Sequence, residues 1–270
     1  MNNIAMVVGC DEKPFNKLVN DDESVRLIKK AGFKNVFISW RTGGFSKVAM
    51  HRIELIRALG LNISFAHLGY KGTHNVINLW KDTTDGDKLV ELYSEDIKQL
   101  AYNKINIGVM HVHRSFDLPI LSEVGLNRLR EILKTAEKYK FTIAIENLKD
   151  KEVFDYVFDN IQSDYLKICY DCGHDHVHYK DTFDFEKYKD KIIVAHIHDN
   201  DQDGDEHLLP YDGTINWNTL VDKFKEINYK GVLACESHLQ LGYQIAKPKV
   251  FFNEAYKRLT ILNNMINNKR

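Results

Sequence analysis

The sequence contains little of what would assign it to several common classes of protein. Its 270 residues include only four cysteines and four prolines, and the formal net charge is −1. A charge so close to zero gives no overall attraction to nucleic acid or to an anionic membrane surface. No apolar run approaches the length of a membrane-spanning helix, and residues 1–15 become acidic too early for a secretory signal. We therefore predict a cytoplasmic protein with no membrane segment, in which no proline-rich or glycine-rich linker separates domains.

The four cysteines all lie in or beside predicted strands, at Cys10, Cys169, Cys172 and Cys235. In a reducing compartment such residues serve as small apolar side chains. Cys169 and Cys172 form a CxxC pattern, but no second CxxC is present to complete a tetrahedral metal site. We interpret this pair as strand packing.

Short, nearly continuous apolar runs alternate along the chain with amphipathic segments. Continuous runs are typical of strands buried on both faces, as in a parallel sheet, and the segments between them have the i, i+3, i+4 spacing of helices. The helical pattern is least regular at 183–190. Eight strand–helix pairs in about 250 residues predict a single-domain α/β protein, a (β/α)₈ TIM barrel over residues 1–270. An open doubly wound sheet is the alternative, but no Gly-rich phosphate-binding pattern follows the first run. The predicted strands are 3–9, 35–40, 62–68, 105–112, 141–147, 166–171, 191–198 and 231–237.

Histidine or acidic residues follow six of the eight predicted strands. The C-terminal ends of barrel strands converge on one face, where the active sites of TIM barrels are built. Carboxylates and imidazoles crowded into one small volume would repel each other or lack partners without a cation. We therefore predict a divalent metal there, Zn²⁺ or Mn²⁺, because the donors are nitrogen and oxygen without thiolate; Mg²⁺ fits less well. The residues concerned are His67, His111, His113, Glu146, Asp171, His174, His196, His198, Asp199, Glu236 and His238.

Side-chain alternation along a strand adds one detail to this prediction. His196 and His198 are two residues apart and so share one face of their strand. The outer member of such a pair can lie beyond the rim of the barrel, where it supports a metal ligand or contacts the substrate.

The motifs at these strand ends resemble those of the xylose-isomerase-like TIM-barrel superfamily, which contains sugar and sugar-phosphate isomerases and epimerases and also endonuclease IV. The resemblance covers essentially the whole chain. The ketose 3-epimerase branch implies one metal held by Glu146, Asp171, His196 and Glu236. In that branch the two glutamates would flank the substrate carbon and move its proton, and His174 would contact the substrate. The motifs are HL at 67–68, MHVH at 110–113, IEN at 145–147, YDCGH at 170–174, HIHDND at 196–201, DEH at 205–207 and CES at 235–237.

The endonuclease IV branch implies a larger site, so the resemblance leaves one to three ions open. It places zinc at the same four positions and adds five ligands, which fall on His67, His111, His174, Asp205 and His207. The chain departs from both branches. Glu206 stands where the endonuclease branch has arginine, no basic insertion is present to grip a bent duplex, and the arginine that usually follows the strand-seven histidine of the epimerases is missing.

We therefore predict a metal-dependent isomerase or epimerase acting on a small sugar or sugar phosphate. The alternative is an endonuclease IV-like trinuclear zinc phosphodiesterase acting on abasic DNA, although nucleic acid is the less favoured partner. A third hypothesis is a barrel without catalytic activity that binds a sugar or a protein, and association into homo-oligomers stays open. Trp40, Phe45 and Tyr70 are candidates for a substrate wall, with plain loop packing as the alternative for each.

Overall fold

The strands of the protein close into one parallel barrel. A computed structural model describes residues 4–8, 20–40, 47–114, 118–239 and 247–268. Each strand pairs with the next along the chain, and β8 pairs with β1. This confirms the (β/α)₈ prediction and excludes the open sheet. The strands are β1 Ile4–Val8, β2 Asn35–Trp40, β3 Asn62–Leu68, β4 Ile107–Met110, β5 Thr142–Glu146, β6 Leu166–Asp171, β7 Ile192–Ile197 and β8 Val232–Cys235.

Helices follow the strands and begin and end at residues suited to those places. Asn20 accepts a hydrogen bond from the backbone N–H of Glu23 at the start of the first helix, and Gly32 ends it with φ 112°. Two 3₁₀ helices, Gly72–His74 and Val76–Trp80, precede the third. The helices are α1 Asp21–Ala31, α2 Lys47–Ala58, α3 Thr84–Tyr102, α4 Glu123–Tyr139, α5 Lys151–Asn160, α6 Phe185–Tyr188, α7 Trp217–Glu226 and α8 Pro248–Ile266.

The segment after β6 differs from the sequence-based expectation. The least regular helical pattern corresponds to α6, which is a single turn of four residues. Another helical segment begins directly at the end of β6, with one turn at Cys172–His174 that continues as the π-helical Asp175–Tyr179. The residues directly after β6 are therefore helical, and they place His174 Nδ1 3.3 Å from Glu146 Oε1.

The apolar interior of the barrel reaches up to the functional residues. Phe37 and Phe65 are register partners on β2 and β3, and their rings stack with centroids 4.5 Å apart. The ring of His196 stacks on these two rings at 5.5 and 5.8 Å. The apolar core thus packs directly against the polar residues at the C-terminal end of the barrel. Within the described residues, no helix combines the length and the apolar character needed to cross a membrane.

Candidate metal centre

Four side chains from consecutive strands meet at the C-terminal end of the barrel, which we call the mouth. Glu146, Asp171, His196 and Glu236 come from the ends of β5 to β8, and one donor atom of each lies within 4.8 Å of the others. Strand register explains the meeting, because Asp171 is the direct register partner of His196. We call these four residues the four-residue centre.

The imidazole of His196 is the least satisfied polar group of this centre. It is fully buried, and neither ring nitrogen makes a hydrogen bond within the described part of the chain. Yet Nδ1 lies 3.0 Å from Glu236 Oε2, 3.5 Å from Glu146 Oε1 and 3.5 Å from Asp171 Oδ2. Bonds of about 2.0–2.2 Å to a shared ion place adjacent ligand atoms roughly 3–3.5 Å apart. The donor set therefore fits a divalent metal in both chemistry and spacing.

The charges of the centre depend strongly on one another. Burial alone would raise the pKa of Glu146, but His111 and His196 outweigh it and hold this pKa well below its usual value. Burial would lower the pKa of His196, but negative neighbours, including Glu236 and Glu146, raise it well above the ordinary value. The carboxylates are therefore ionised and call for a positive charge, which either a proton on His196 or a bound cation can supply.

Glu146 also belongs to a second group of donors. Its Oε2 lies 3.2 Å from Nε2 of His67 and 3.0 Å from Nε2 of His111, while its Oε1 faces His196. Burial lowers the pKa of His111 to about 4 against the opposing effect of Glu146, so its ring is neutral, the form that binds metals. One carboxylate therefore belongs to both groups, with Oε2 facing His67 and His111 and Oε1 facing His196.

A third group lies on the other side of the four-residue centre, at His198, Asp205 and His207. Asp205 Oδ2 lies 3.2 Å from His174 Nε2 and 3.3 Å from His207 Nε2. Burial opposes protonation of His207, but Asp205 outweighs it and raises the pKa to about 9. All nine predicted ligands therefore meet at the mouth. The group that can share an ion here contains His198, however, whereas His174 contacts Asp205 from outside that group.

Asp199 explains why Asp205 and His207 reach the site. The sequence places this aspartate at the end of β7 like the candidate ligands, but it faces its own loop. Its two oxygens accept hydrogen bonds from the backbone N–H groups of Asn200, Tyr211 and Ile215 and from Nε1 of Trp217, at 2.9–3.1 Å. With four donors satisfied, Asp199 fixes the loop 200–216 in place. The alternation pattern could not have identified this role, because the donors lie up to 18 residues away.

The aromatic residues predicted as candidates for the substrate wall occupy different environments in the structure. Trp40 is 1% exposed and donates Nε1–H to Asp96 at 2.8 Å, so it belongs to the core and follows the packing alternative. Tyr70 stacks on His111 with ring centroids 4.2 Å apart and therefore stands at the mouth. Phe45 lies outside the described residues.

His176 and three of the cysteines are buried and have roles in packing. His176 lies 3.0 Å from Asp181 and 2.9 Å from Thr214 Oγ1, which satisfies both ring nitrogens without a metal. Cys169, Cys172 and Cys235 are buried free thiols, as the packing interpretation of the CxxC pattern requires. Cys10 lies outside the described residues.

Comparison with known protein families shows to which family the chain belongs. Residues 25–249 match the family described as Xylose isomerase-like TIM barrel. The chain belongs to this family. Among curated relatives, it is 32% identical over 102 residues to Uncharacterized protein y4fM of Sinorhizobium fredii, a match that covers 35% of this chain and 33% of that protein. A match to Uncharacterized protein MJ1311 of Methanocaldococcus jannaschii is 33% identical over 124 residues and covers 42% of each. These matches span between a third and less than half of the relatives' lengths.

Solved structures share the fold over nearly the whole length of this xylose isomerase-like barrel. A D-tagatose 3-epimerase-like protein is 21% identical, with TM-score 0.75 and coverage of 97% of this chain and 98% of its own. D-Psicose 3-epimerase with D-tagatose, from Clostridium cellulolyticum H10, is 14% identical with TM-score 0.75 and coverage of 98% and 99%. The IOLI protein with a binding zinc atom is 15% identical with TM-score 0.73 and coverage of 97% and 98%.

Proposed function

We propose that the chain is a metal-dependent isomerase or epimerase of a sugar or sugar phosphate. The observation that carries this proposal is the four-residue centre, in which three carboxylates surround an imidazole that has no hydrogen-bond partner among the described residues. Without a bound cation, the negative charges of these buried carboxylates would not be balanced. The similar barrels of D-psicose 3-epimerase with D-tagatose and of the IOLI protein with a binding zinc atom support the substrate class and the metal.

Glu146, Asp171, His196 and Glu236 would hold the ion. When bound there, a divalent metal supplies Lewis-acid stabilisation of negative charge on a substrate oxygen. Asp171 and His196 are buried to 0% exposure and serve only as ligands, whereas the Glu236 side chain keeps 15% exposure toward the mouth. Glu236 is therefore the carboxylate best placed to contact a substrate.

Proton transfer at the substrate carbon falls to the two glutamates. Burial would raise the pKa of Glu236, but His196 lowers it to about 2, and the pKa of Glu146 is also well below its usual value. Both groups are thus unprotonated at neutral pH, as a base that accepts a carbon-bound proton must be. One glutamate removes the proton and later releases it to solvent, while the other takes a proton from solvent at the mouth and returns it to the carbon. His174 lies beside Glu146, with its Nδ1 3.3 Å from Oε1, and would contact the substrate.

Solvent isotope exchange tests this proposal directly. The protein loaded with Mn²⁺ or Zn²⁺ is incubated in D₂O with panels of ketoses and sugar phosphates, and deuterium entering one carbon is followed by NMR. We expect exchange with at least one substrate class, loss of exchange in Glu236→Gln, and normal exchange in the surface control Glu152→Gln. Metal-loaded wild-type protein that exchanges no proton in either panel would contradict the proposal.

One observation favours a second candidate, a phosphodiesterase with two or three zinc ions. Glu146 joins the four-residue centre to His67 and His111, and His198, Asp205 and His207 form a further group. Multinuclear sites of this kind stabilise the attacking and leaving oxygens of a phosphodiester. The number of zinc ions per chain, measured by elemental analysis, distinguishes the two candidate functions. Three tightly held zinc ions together with nicking of abasic duplex would favour this candidate, while one ion and no nicking would exclude it.

A further inference from the structure

His198, a member of the third group of donors, also contacts the four-residue centre. Its ring is fully buried, and Nε2 lies 3.0 Å and 3.1 Å from the two oxygens of Asp171. The same Nε2 is 4.0 Å from Asp205 Oδ1. Its other nitrogen, Nδ1, has no hydrogen-bond partner within the described residues. This asymmetry indicates that the ring carries its proton on Nε2 and donates it to Asp171.

The two oxygens of Asp171 are held differently, because Oδ1 accepts two hydrogen bonds whereas Oδ2 makes the longer, 3.1 Å contact with His198. Oδ1 already accepts the backbone N–H of His174 at 2.7 Å, and His198 is the second donor to this oxygen. Oδ2 is the oxygen that faces His196 Nδ1, at 3.5 Å. With Oδ1 held on the far side by two donors, the carboxylate cannot rotate away from the four-residue centre without losing both bonds.

Gly173 makes room for this arrangement. A Cβ atom built on Gly173 would lie 2.0 Å from Cε1 and 2.5 Å from Nδ1 of His198. Any side chain at this position would push the imidazole off Asp171. The glycine is therefore needed for the close approach of the ring to the backbone.

The face of the His198 ring also packs against His207, another donor of the third group. His207 stacks on His198 with centroids 4.0 Å apart and planes 13° from parallel, and His238 stacks on His207 at 4.1 Å. A single side chain thus touches a ligand of the four-residue centre through its edge and a donor of the third group through its face.

We propose that His198 is a positioning residue that orients Asp171 for metal binding by donating its Nε2–H, while its ring supports His207. The proposal rests on the proposed function, in which Asp171 is a metal ligand. Hydrogen-bond partners that orient metal ligands contribute 10–100-fold to metal affinity in other proteins. We expect a loss of that size when the donor is removed.

Substitutions that separate the donor from the ring test this role. His198→Phe keeps a ring for His207 to stack on but removes the donor. His198→Gln removes the ring but places an amide N–H near the position of Nε2, and His198→Asn is too short to do so. His51→Phe is the control, because His51 is an exposed residue of α2 whose side chain is 61% accessible. Zinc dissociation constants are measured by competition with a chelating dye, ion stoichiometry by elemental analysis, the ligand field by Co²⁺ absorption, and folding by thermal unfolding of the metal-free proteins.

We expect His198→Phe and His198→Asn to bind zinc 10–100-fold more weakly, with an altered Co²⁺ spectrum and unchanged stoichiometry at saturation. His198→Gln should restore most of the affinity and the spectrum, and His51→Phe should match the wild type. The comparison of Gln with Asn decides the matter if Phe does not fold. Wild-type affinity in His198→Asn, or the loss of one ion from every His198 variant, would overturn the positioning role, the latter because His198 would then be a ligand. If the wild type bound no metal, the proposed function would fail and take this role with it.

Discussion

His74 and His196 are two fully buried histidines beside carboxylates, but only His74 forms hydrogen bonds with residues that the structure describes. His74 Nε2 lies 2.7 Å from Asp96 Oδ2, and the other oxygen of Asp96 accepts Nε1–H of Trp40 at 2.8 Å. His196 faces three carboxylates and makes no hydrogen bond among the described residues. A buried imidazole with a complete set of partners supports the fold, whereas one surrounded by charge but left unbonded marks a place for a ligand.

The surroundings of the two histidines explain the difference. His74 ends a 3₁₀ helix in the segment between β3 and α3, and Asp96 lies on α3, so their bond ties the segment to the helix. Tyr93, one turn before Asp96, donates its hydroxyl to the carbonyl of Gly69 at 2.7 Å. This second bond holds the start of the segment, next to Tyr70. The network therefore supports the segment that carries Tyr70 to its contact with His111.

Glu146→Gln should produce the largest effect in the mouth. The substitution keeps the volume of the side chain but removes a charged ligand and a proton-transfer group. We expect turnover to fall on the order of 10⁴-fold and metal affinity to weaken, with the fold retained because the core lies below the site. Steady-state kinetics, metal titration and circular dichroism measure the three properties, with Glu152→Gln as the surface control. Unchanged turnover would show that Glu146 has neither role.

Asp96→Ala should have the opposite profile. It leaves the buried His74 Nε2 and Trp40 Nε1 without their partner, at about 2 kcal/mol for each unsatisfied group. We expect the free energy of unfolding in urea to fall by about 4 kcal/mol, while zinc affinity per folded molecule stays at the wild-type value. If the variant lost its metal and kept its stability, the two histidine environments would have exchanged the roles assigned to them.

Asp175 is a third buried acid, after Glu146 and Asp96, and its substitution should have an effect of intermediate size. Asp175 is 1% exposed, accepts the Tyr170 hydroxyl and the backbone N–H of Phe183, and lies directly after His174. Burial is the main cause that raises its pKa from 3.8 to about 6. The folded protein therefore holds this proton more tightly than the unfolded chain does. Its stabilising contribution is complete below about pH 4 and is lost as the pH rises through about 6.

Asp175→Asn removes that dependence while keeping the shape of the side chain. Relative to the wild type, the variant should gain about 3 kcal/mol of unfolding free energy between pH 4 and pH 7. Urea unfolding of both proteins across this range measures the difference. Parallel curves for the two proteins would show that the carboxyl of Asp175 does not titrate as described.

Much of the fold and the identity of the donors could be predicted from local sequence. Continuous apolar runs identify the strands because both faces of a barrel strand are buried, and the residue that follows each run must lie at the mouth. Glu146, Asp171, His196 and Glu236 could be found in this way. Their assignment as ligands stays a prediction, and the domain boundary at residues 1–270 does as well.

The missed features depend on contacts between distant parts of the chain. The His74–Asp96 bond joins a 3₁₀ helix to a helix with no spacing pattern that announces it. The register between β6 and β7 shifts at Ile168, and this shift decides that Asp171 lies opposite His196. His207 reaches the site with φ 53°, a left-handed backbone conformation that a non-glycine residue seldom adopts and that no local motif indicates.

Metal addition should give the smallest effect and the cleanest separation of the two environments. An ion that binds only the folded protein stabilises it by about 2.7 kcal/mol at one hundred times its dissociation constant. We expect this increment from Zn²⁺ in the wild type and in Asp96→Ala, and its loss in Asp171→Asn or after addition of a chelator. The increment should shrink as the pH falls, because the histidine ligands must lose their protons to bind. An equal increment in Asp171→Asn would place the metal away from the four-residue centre and remove the physical reason for calling His196 a ligand.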